Sequence, residues 1–227
     1  MPEFDFTTLF FAVVAIAVAF RLYRMLGTHT PSDLEDGRPV ANLRRAPAPA
    51  SAAPPPAAPD RTDDSRWKGA AKAGSPAENG LAAIGESDPS FDARAFLDGA
   101  RAAYSLIVQA FAAGDSAALR PLLASDVYAQ FSEAILDRTA RRRTQTVSFV
   151  GALQSEIDSA SLVGTEAHIV VRFAAKLLSA TRDAAGAVVE GSADAPEDHV
   201  DLWTFARDPK SANPNWTLLA TQAVVAP

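Results

Sequence analysis

The sequence predicts an α+β domain, N-terminal helices packed on a curved antiparallel sheet, preceded by one transmembrane helix and a disordered linker. Three observations predict it. The first residues form an apolar run; the middle is rich in Pro and Ala with almost no aliphatic periodicity; and from Phe91 onward apolar residues recur at the helical period, which shortens to two after Arg143. The expected division is an anchor over residues 1–27, a linker over 28–90 and the α+β domain over 91–227.

Residues 4–20 are apolar apart from Asp5, Thr7 and Thr8, and Leu22, Tyr23, Met25 and Leu26 extend the pattern past Arg21 and Arg24. A helix over this stretch would be roughly 35 Å long, against a hydrocarbon core of about 30 Å. A cleaved secretory signal carries its positive charge before the apolar run. Here Glu3 and Asp5 precede it, while Arg21, Arg24, Arg38, Arg44 and Arg45 follow. The positive-inside rule then places the rest of the chain on the cytoplasmic side, with Arg21 and Arg24 snorkelling to the headgroups.

Residues 28–90, including the Pro/Ala run 46–59, hold too little apolar surface to offset the entropy of ordering and are expected to be disordered. A flexible chain of this length reaches on the order of 45 Å. Trp67, flanked by Arg66, Lys68 and Lys72, stands out as a lone aromatic; a stray linker residue is the simplest explanation.

Phe96, Leu97, Ala100, Tyr104, Ile107, Val108 and Phe111 make one helical stripe, which Gly114 closes. Asp115 or Ser116 caps a short second helix, and Ser125 or Asp126 a third carrying Val127, Tyr128, Phe131, Ile135 and Leu136. Four antiparallel strands are expected after it. The first carries Val147, Phe149, Ile157 and Leu162; the second Ile169, Val171 and Phe173; the third Val200, Leu202, Trp203 and Phe205; the last Trp216, Leu218 and Leu219. Residues 183–186 suit a turn, and residues 191–197 a mobile loop.

Three stretches carry a family resemblance: residues 96–115 (FLDGARAAYSLIVQAFAAGD), 119–138 (LRPLLASDVYAQFSEAILDR) and 198–221 (DHVDLWTFARDPKSANPNWTLLAT). The last is the most specific, with a WTF strand, an RDP turn and a PNW restart close together. The chain resembles the Tim-forty-four-like family, whose mitochondrial members tether the import motor to the inner membrane, and especially its alphaproteobacterial membrane-anchored members. The resemblance implies a cone related to nuclear-transport-factor-two-like (NTF2-like) folds, with a hydrophobic pocket, a role in membrane or partner docking, and no catalysis. It also implies an adaptor at the bacterial inner membrane, in protein transport or membrane-protein assembly. Relatives usually place a Gly-containing turn where this chain has Arg141, Arg142 and Arg143.

A net charge of −6 and a pI near 5.1 argue against nucleic acid as a partner, since phosphate binding needs a concentrated basic face. The absence of cysteine excludes thiolate chemistry and Cys-based metal sites. Phosphate loops, HExxH helices, GxSxG elbows and EF-hand loops are absent from the sequence, and no cofactor is expected. Tyr104, Tyr128, Phe131, Phe149, Phe173, Trp203 and Phe205 are candidates to line a pocket for a protein partner or an acyl chain, though core packing is their commoner use. Arg21, Arg24, Arg141, Arg142 and Arg143 are candidates to sit near anionic lipid. The alternatives to a protein-binding adaptor are a lipid-binding or membrane-docking domain and a cone-fold enzyme using His168, His199 and Asp201; solvated strand ends explain those three residues more simply.

Overall fold

The computed structural model describes residues 70, 71 and 74–224. The expected anchor, Arg21, Arg24, Trp67 and most of the expected linker lie outside the described residues. No helix among the described residues is long and apolar enough to cross a membrane.

The first helix, α1 (Pro76–Ser87), occupies a stretch expected to belong to the linker, so the linker boundary at residue 90 is corrected. Its start follows capping chemistry. The Ser75 hydroxyl accepts from the Glu78 amide, Pro76 stands in the first turn, and the Gly74 amide donates to Glu78 Oε2. Leu81 and Ile84 are fully buried, which supplies the apolar burial that a Pro/Ala composition concealed. The helix packs on the second strand so closely that a Cβ at Gly80 would stand 1.8 Å from the Ala160 carbonyl oxygen.

The expected amphipathic helix is α2 (Ala93–Ala113), capped by the Asp92 carboxylate and ended by Gly114 in the left-handed region at φ 75°. The short α3 (Ser116–Leu119) is capped by Asp115, and α4 (Ser125–Ala140) follows. The Ala124 and Leu218 amides donate to the Leu218 and Leu122 carbonyls, tying the α3–α4 connection to the end of the sheet.

Five strands form the sheet where four were expected: β1 (Thr144–Phe149), β2 (Gln154–Val163), β3 (Glu166–Arg182), β4 (Val188–Arg207) and β5 (Thr217–Ala223). The expected first strand is two, parted at Gly151, whose φ of 84° turns the chain. Both then pair along the same edge of β3, β2 with residues 166–174 and β1 with residues 177–182. β4 pairs with the other edge of β3 and with β5 from Asp201 onward, giving a curved, unclosed antiparallel sheet.

Residues 191–197, expected as a mobile loop, lie inside β4. The pairing jumps from Leu177↔Glu197 to Ser179↔Ser192, so residues 193–196 form a bulge opposite Leu178. Its Asp194 and Ala195 amides donate to Ser192 Oγ. Pro196 is tolerated there because a bulge frees the residue from the ladder and bends the strand.

Alternation along β3 sets the layers. Ala167, Ile169, Val171, Phe173, Ala175 and Leu177 are buried toward the helices, while His168, Val170, Arg172 and Lys176 face away. Aromatic packing joins the layers: the Tyr104 ring centroid lies 4.5 Å from those of both Phe173 and Trp203, and Phe96 meets Phe205 at 5.9 Å and Trp216 at 4.7 Å. Trp216, expected within the last strand, stands just before β5 and packs on α2. At the same end Asp88 and Arg207 form a buried ion pair, Ser90 donates twice to the Asp88 carboxylate, and the Arg207 guanidinium stacks 5.2 Å from the Trp216 ring centroid.

Candidate functional site: an apolar cleft with a polar end

α2 covers only part of the concave face, and α4 stands off from it. Between α2, α4, β1 and the bulged halves of β3 and β4 an open cleft of about 510 Å³ remains. Ile107, Val108, Phe111, Phe131, Val147, Leu177 and Trp203 give it apolar walls, and the Phe111 and Phe131 rings meet at 5.1 Å. Glu133, Asp137, Arg138, Arg141, Arg143 and Glu190 supply charged lining.

Tyr104, His199, Asp201 and Thr221 give the cleft a polar end. The buried Tyr104 hydroxyl donates to Asp201 Oδ2 at 2.7 Å. Burial pushes the Asp201 carboxyl above the usual carboxylate range, and the Tyr104 hydrogen bond and the nearby His199 offset only part of that. Burial, and then the Asp201 charge and hydrogen bond, push the Tyr104 hydroxyl up as well, so it remains a donor. His199 follows from strand alternation, sharing the inward face with Asp201, Trp203 and Phe205. Its Nε2 is buried without a hydrogen-bond partner, the Glu197 carboxylate standing 4.0 Å away.

Of the seven aromatics proposed for a pocket, Tyr104, Phe131 and Trp203 line the cleft. Phe149, Phe173 and Phe205 do not; the last two are fully buried behind it in the core. Tyr128 packs under the Arg120 guanidinium, 4.7 Å from its ring centroid. Arg141 and Arg143 line the cleft mouth, and Arg141 is paired with Asp137. Arg142 is exposed and adopts φ 55°, the left-handed conformation that a glycine in a turn would take without strain.

The expected trio of His168, His199 and Asp201 is separated by the sheet. His168 lies on the outer face, 2.6 Å from Glu166, because its even position in β3 points away from the helices. A residue the sequence reasoning undervalued is Arg138. From the end of α4 it reaches back to donate to the Phe111 and Ala112 carbonyls at 2.6 and 3.1 Å and to Gln145 at 2.6 Å. It satisfies the Ala112 carbonyl at the C-terminus of α2 and adds a second donor to that of Phe111, which also accepts from Gly114. A long cation after an apolar helix face was the available signal; the partner helix was not.

The family match spans this whole assembly: the family described as Tim44-like domain covers residues 77–223. The chain belongs to the Tim44-like family. Its match begins within α1, in keeping with that helix being part of the domain. No curated protein matches the sequence. Among solved structures, the intermembrane space region of the chloroplast protein ARC6 aligns with 10% identity and a TM-score of 0.40, covering 57% of this chain and 96% of that one, too loose a likeness to transfer anything. In this Tim44-like domain the cleft offers apolar walls, fixed hydrogen-bonding groups and mixed charge. At its polar end the Tyr104 hydroxyl is committed to Asp201.

Proposed function

We propose that this chain is a membrane-anchored adaptor whose Tim44-like domain docks a protein partner in the cleft between α2, α4 and the sheet. The observation that carries the proposal is an open apolar concavity of about 510 Å³ edged by both signs of charge. Apolar concavities left uncovered, with a few fixed polar groups, are where proteins take partners and ligands. The family supports a membrane-associated, protein-interacting adaptor in general. The finer reading is a single-pass protein of the bacterial inner membrane with its domain at the cytoplasmic face, serving protein transport or membrane-protein assembly. It draws on the apolar run before Arg21 and Arg24 and on the charge asymmetry around it.

The test is partner recovery with the cleft filled. Ala134 lines the cleft, so Ala134→Trp introduces a ring where the partner would sit, while His168→Ala alters only the outer face. In the full-length chain the first variant should lose one or more crosslinked partners at least tenfold, and the second should retain them. Equal recovery by both would remove the cleft from the function. If Ala134→Trp spared partners yet abolished flotation with anionic liposomes, lipid docking would replace the adaptor reading.

A further inference from the structure

An open strand edge borders the cleft. β1 pairs with β3 alone, so its other edge has no neighbouring strand among the described residues. The Val150 amide donates to the Lys176 carbonyl, and an antiparallel ladder alternates bonded and non-bonded pairs. Thr144, Thr146 and Ser148 share that bonded phase with β3, so Gln145, Val147 and Phe149 turn their backbone N–H and C=O groups to the open edge. The side chains of these three point inward and are only half-buried, and Gln145 and Val147 line the cleft.

Open edges invite association, and proteins blunt them with bulges, prolines and charges. β2 is bulged at Asp158, the half of β4 that β5 leaves uncovered is bulged over residues 193–196 with Pro196, and β5 is bulged at Leu219. β1 runs Thr-Gln-Thr-Val-Ser-Phe in unbroken register, with no charge, proline or bulge. It starts from a cationic turn. Arg141 there is paired with Asp137, whereas Arg142 and Arg143 make no ion pair among the described residues.

We propose that β1 takes an extended segment of the docked protein as an added antiparallel strand, with acidic residues at the segment's C-terminal end against Arg142 and Arg143. This rests on the docking function proposed above and gives its occupant a shape and a charge. A row of alternating backbone donors and acceptors is matched by another β-strand, whose main chain supplies affinity and whose alternate side chains supply specificity. Antiparallel pairing continues the pattern of the sheet and sets every second side chain of the added strand beside Val147, at the cleft. A second copy of β1 would leave the two cations unmatched, since residues 149–153, which would lie opposite them, include no carboxylate. A lipid headgroup has no ladder to offer.

An amidated peptide of alternating valine and threonine, closed at its C-terminal end by two glutamates, is titrated into the full-length chain in lipid nanodiscs, with amide hydrogen exchange read by NMR. The Gln145, Val147 and Phe149 amides should slow roughly tenfold or more at saturation. Those of Thr144, Thr146 and Ser148, already bonded to β3, should change little. The same peptide closed by two lysines should bind about tenfold more weakly at low salt, a gap that narrows as salt is added. Arg142→Glu combined with Arg143→Glu should reverse that preference. N-methylation of the peptide's valines should weaken binding far more than N-methylation of its threonines, which tests the ladder without altering the protein. Shifts at Val108 and Phe131 without the alternating protection would overturn the added strand and leave cleft docking intact. Equal affinity for both peptides would overturn the acidic assignment. Protection of the three amides before any peptide is added would give the edge to this chain itself, to a second copy where it rises with protein concentration, and overturn the proposal. No change at edge or cleft would also overturn it, while loss of partners in Ala134→Trp would still uphold docking.

Discussion

Replacing Arg207 with alanine tests how the N-terminal helix is fastened to the sheet. The Asp88 and Arg207 side chains are only 9% and 13% exposed, so the pair is shielded from solvent screening. Removing one member of a buried pair leaves the other charged and uncompensated, at a cost of about 3–5 kcal/mol. The Trp216 contact, 5.2 Å from guanidinium to ring centroid, disappears with it. For a domain of this size each kcal/mol moves the midpoint by about 2–4 °C, so the variant should melt roughly 6–20 °C lower. Intrinsic tryptophan fluorescence follows the transition, since Trp203 and Trp216 are both in the packed domain. The pH dependence provides a second readout. Burial raises the Asp88 carboxyl, but Ser90 and Arg207 more than reverse this and hold it below 3.8. A carboxylate depressed in the fold contributes stability that is present above its unfolded value and lost as pH falls through the folded one. That acid-side loss should shrink in Arg207→Ala. A drop under about 1 kcal/mol, the range of exposed pairs, would refute the view that this contact fastens α1 to the sheet.

Arg138→Ala should cost about 1.5–3 kcal/mol in urea unfolding, because the Phe111 and Ala112 carbonyls lose a charged donor. Asp201 has the opposite sign to Asp88. Its carboxyl is raised, so the fold favours the protonated form, and stability is lost as pH rises from 3.8 through the folded value. Asp201→Asn should remove that loss, giving a flatter stability profile across that range by calorimetry and no penalty at neutral pH. Arg142→Gly relieves a non-glycine residue at φ 55° and should stabilise by up to about 1 kcal/mol, measured by the urea midpoint.

Periodicity made the helices and inner strands legible, because burial alone decides them. The Phe96–Phe111 stripe became the buried face of α2, Gly114 ended it, and Ile169, Val171 and Phe173 became the floor of the core. α1 was hidden by composition. Ser75, Pro76 and Glu78 announced a helix start, but with Leu81 and Ile84 as its large apolar side chains, burial depended on a β2 surface many residues away. The long β4 was hidden for a different reason. Gly191 and Pro196 signal a loop locally, yet β3 supplied pairing on both sides of a bulge. At the site, alternation along β4 was enough to place His199, Asp201 and Trp203 together. Separating the cleft lining from the core behind it was not, since Phe173 and Trp203 both point inward and both lie 4.5 Å from the Tyr104 ring of α2. The sidedness of His168 was recoverable from its odd offset from Ile169 and Val171 once the buried face was known.

The most direct test of the account is a photocrosslinking amino acid placed in the full-length, membrane-bound chain in living cells. Position Val108 lies in the cleft, and Leu162 is exposed at the end of β2, away from it. A protein adduct from Val108 that is absent from Leu162, and that weakens when residues 1–27 are removed, is the predicted result. Adducts formed equally from both positions, or from Leu162 alone, would contradict a partner-docking cleft held at the membrane.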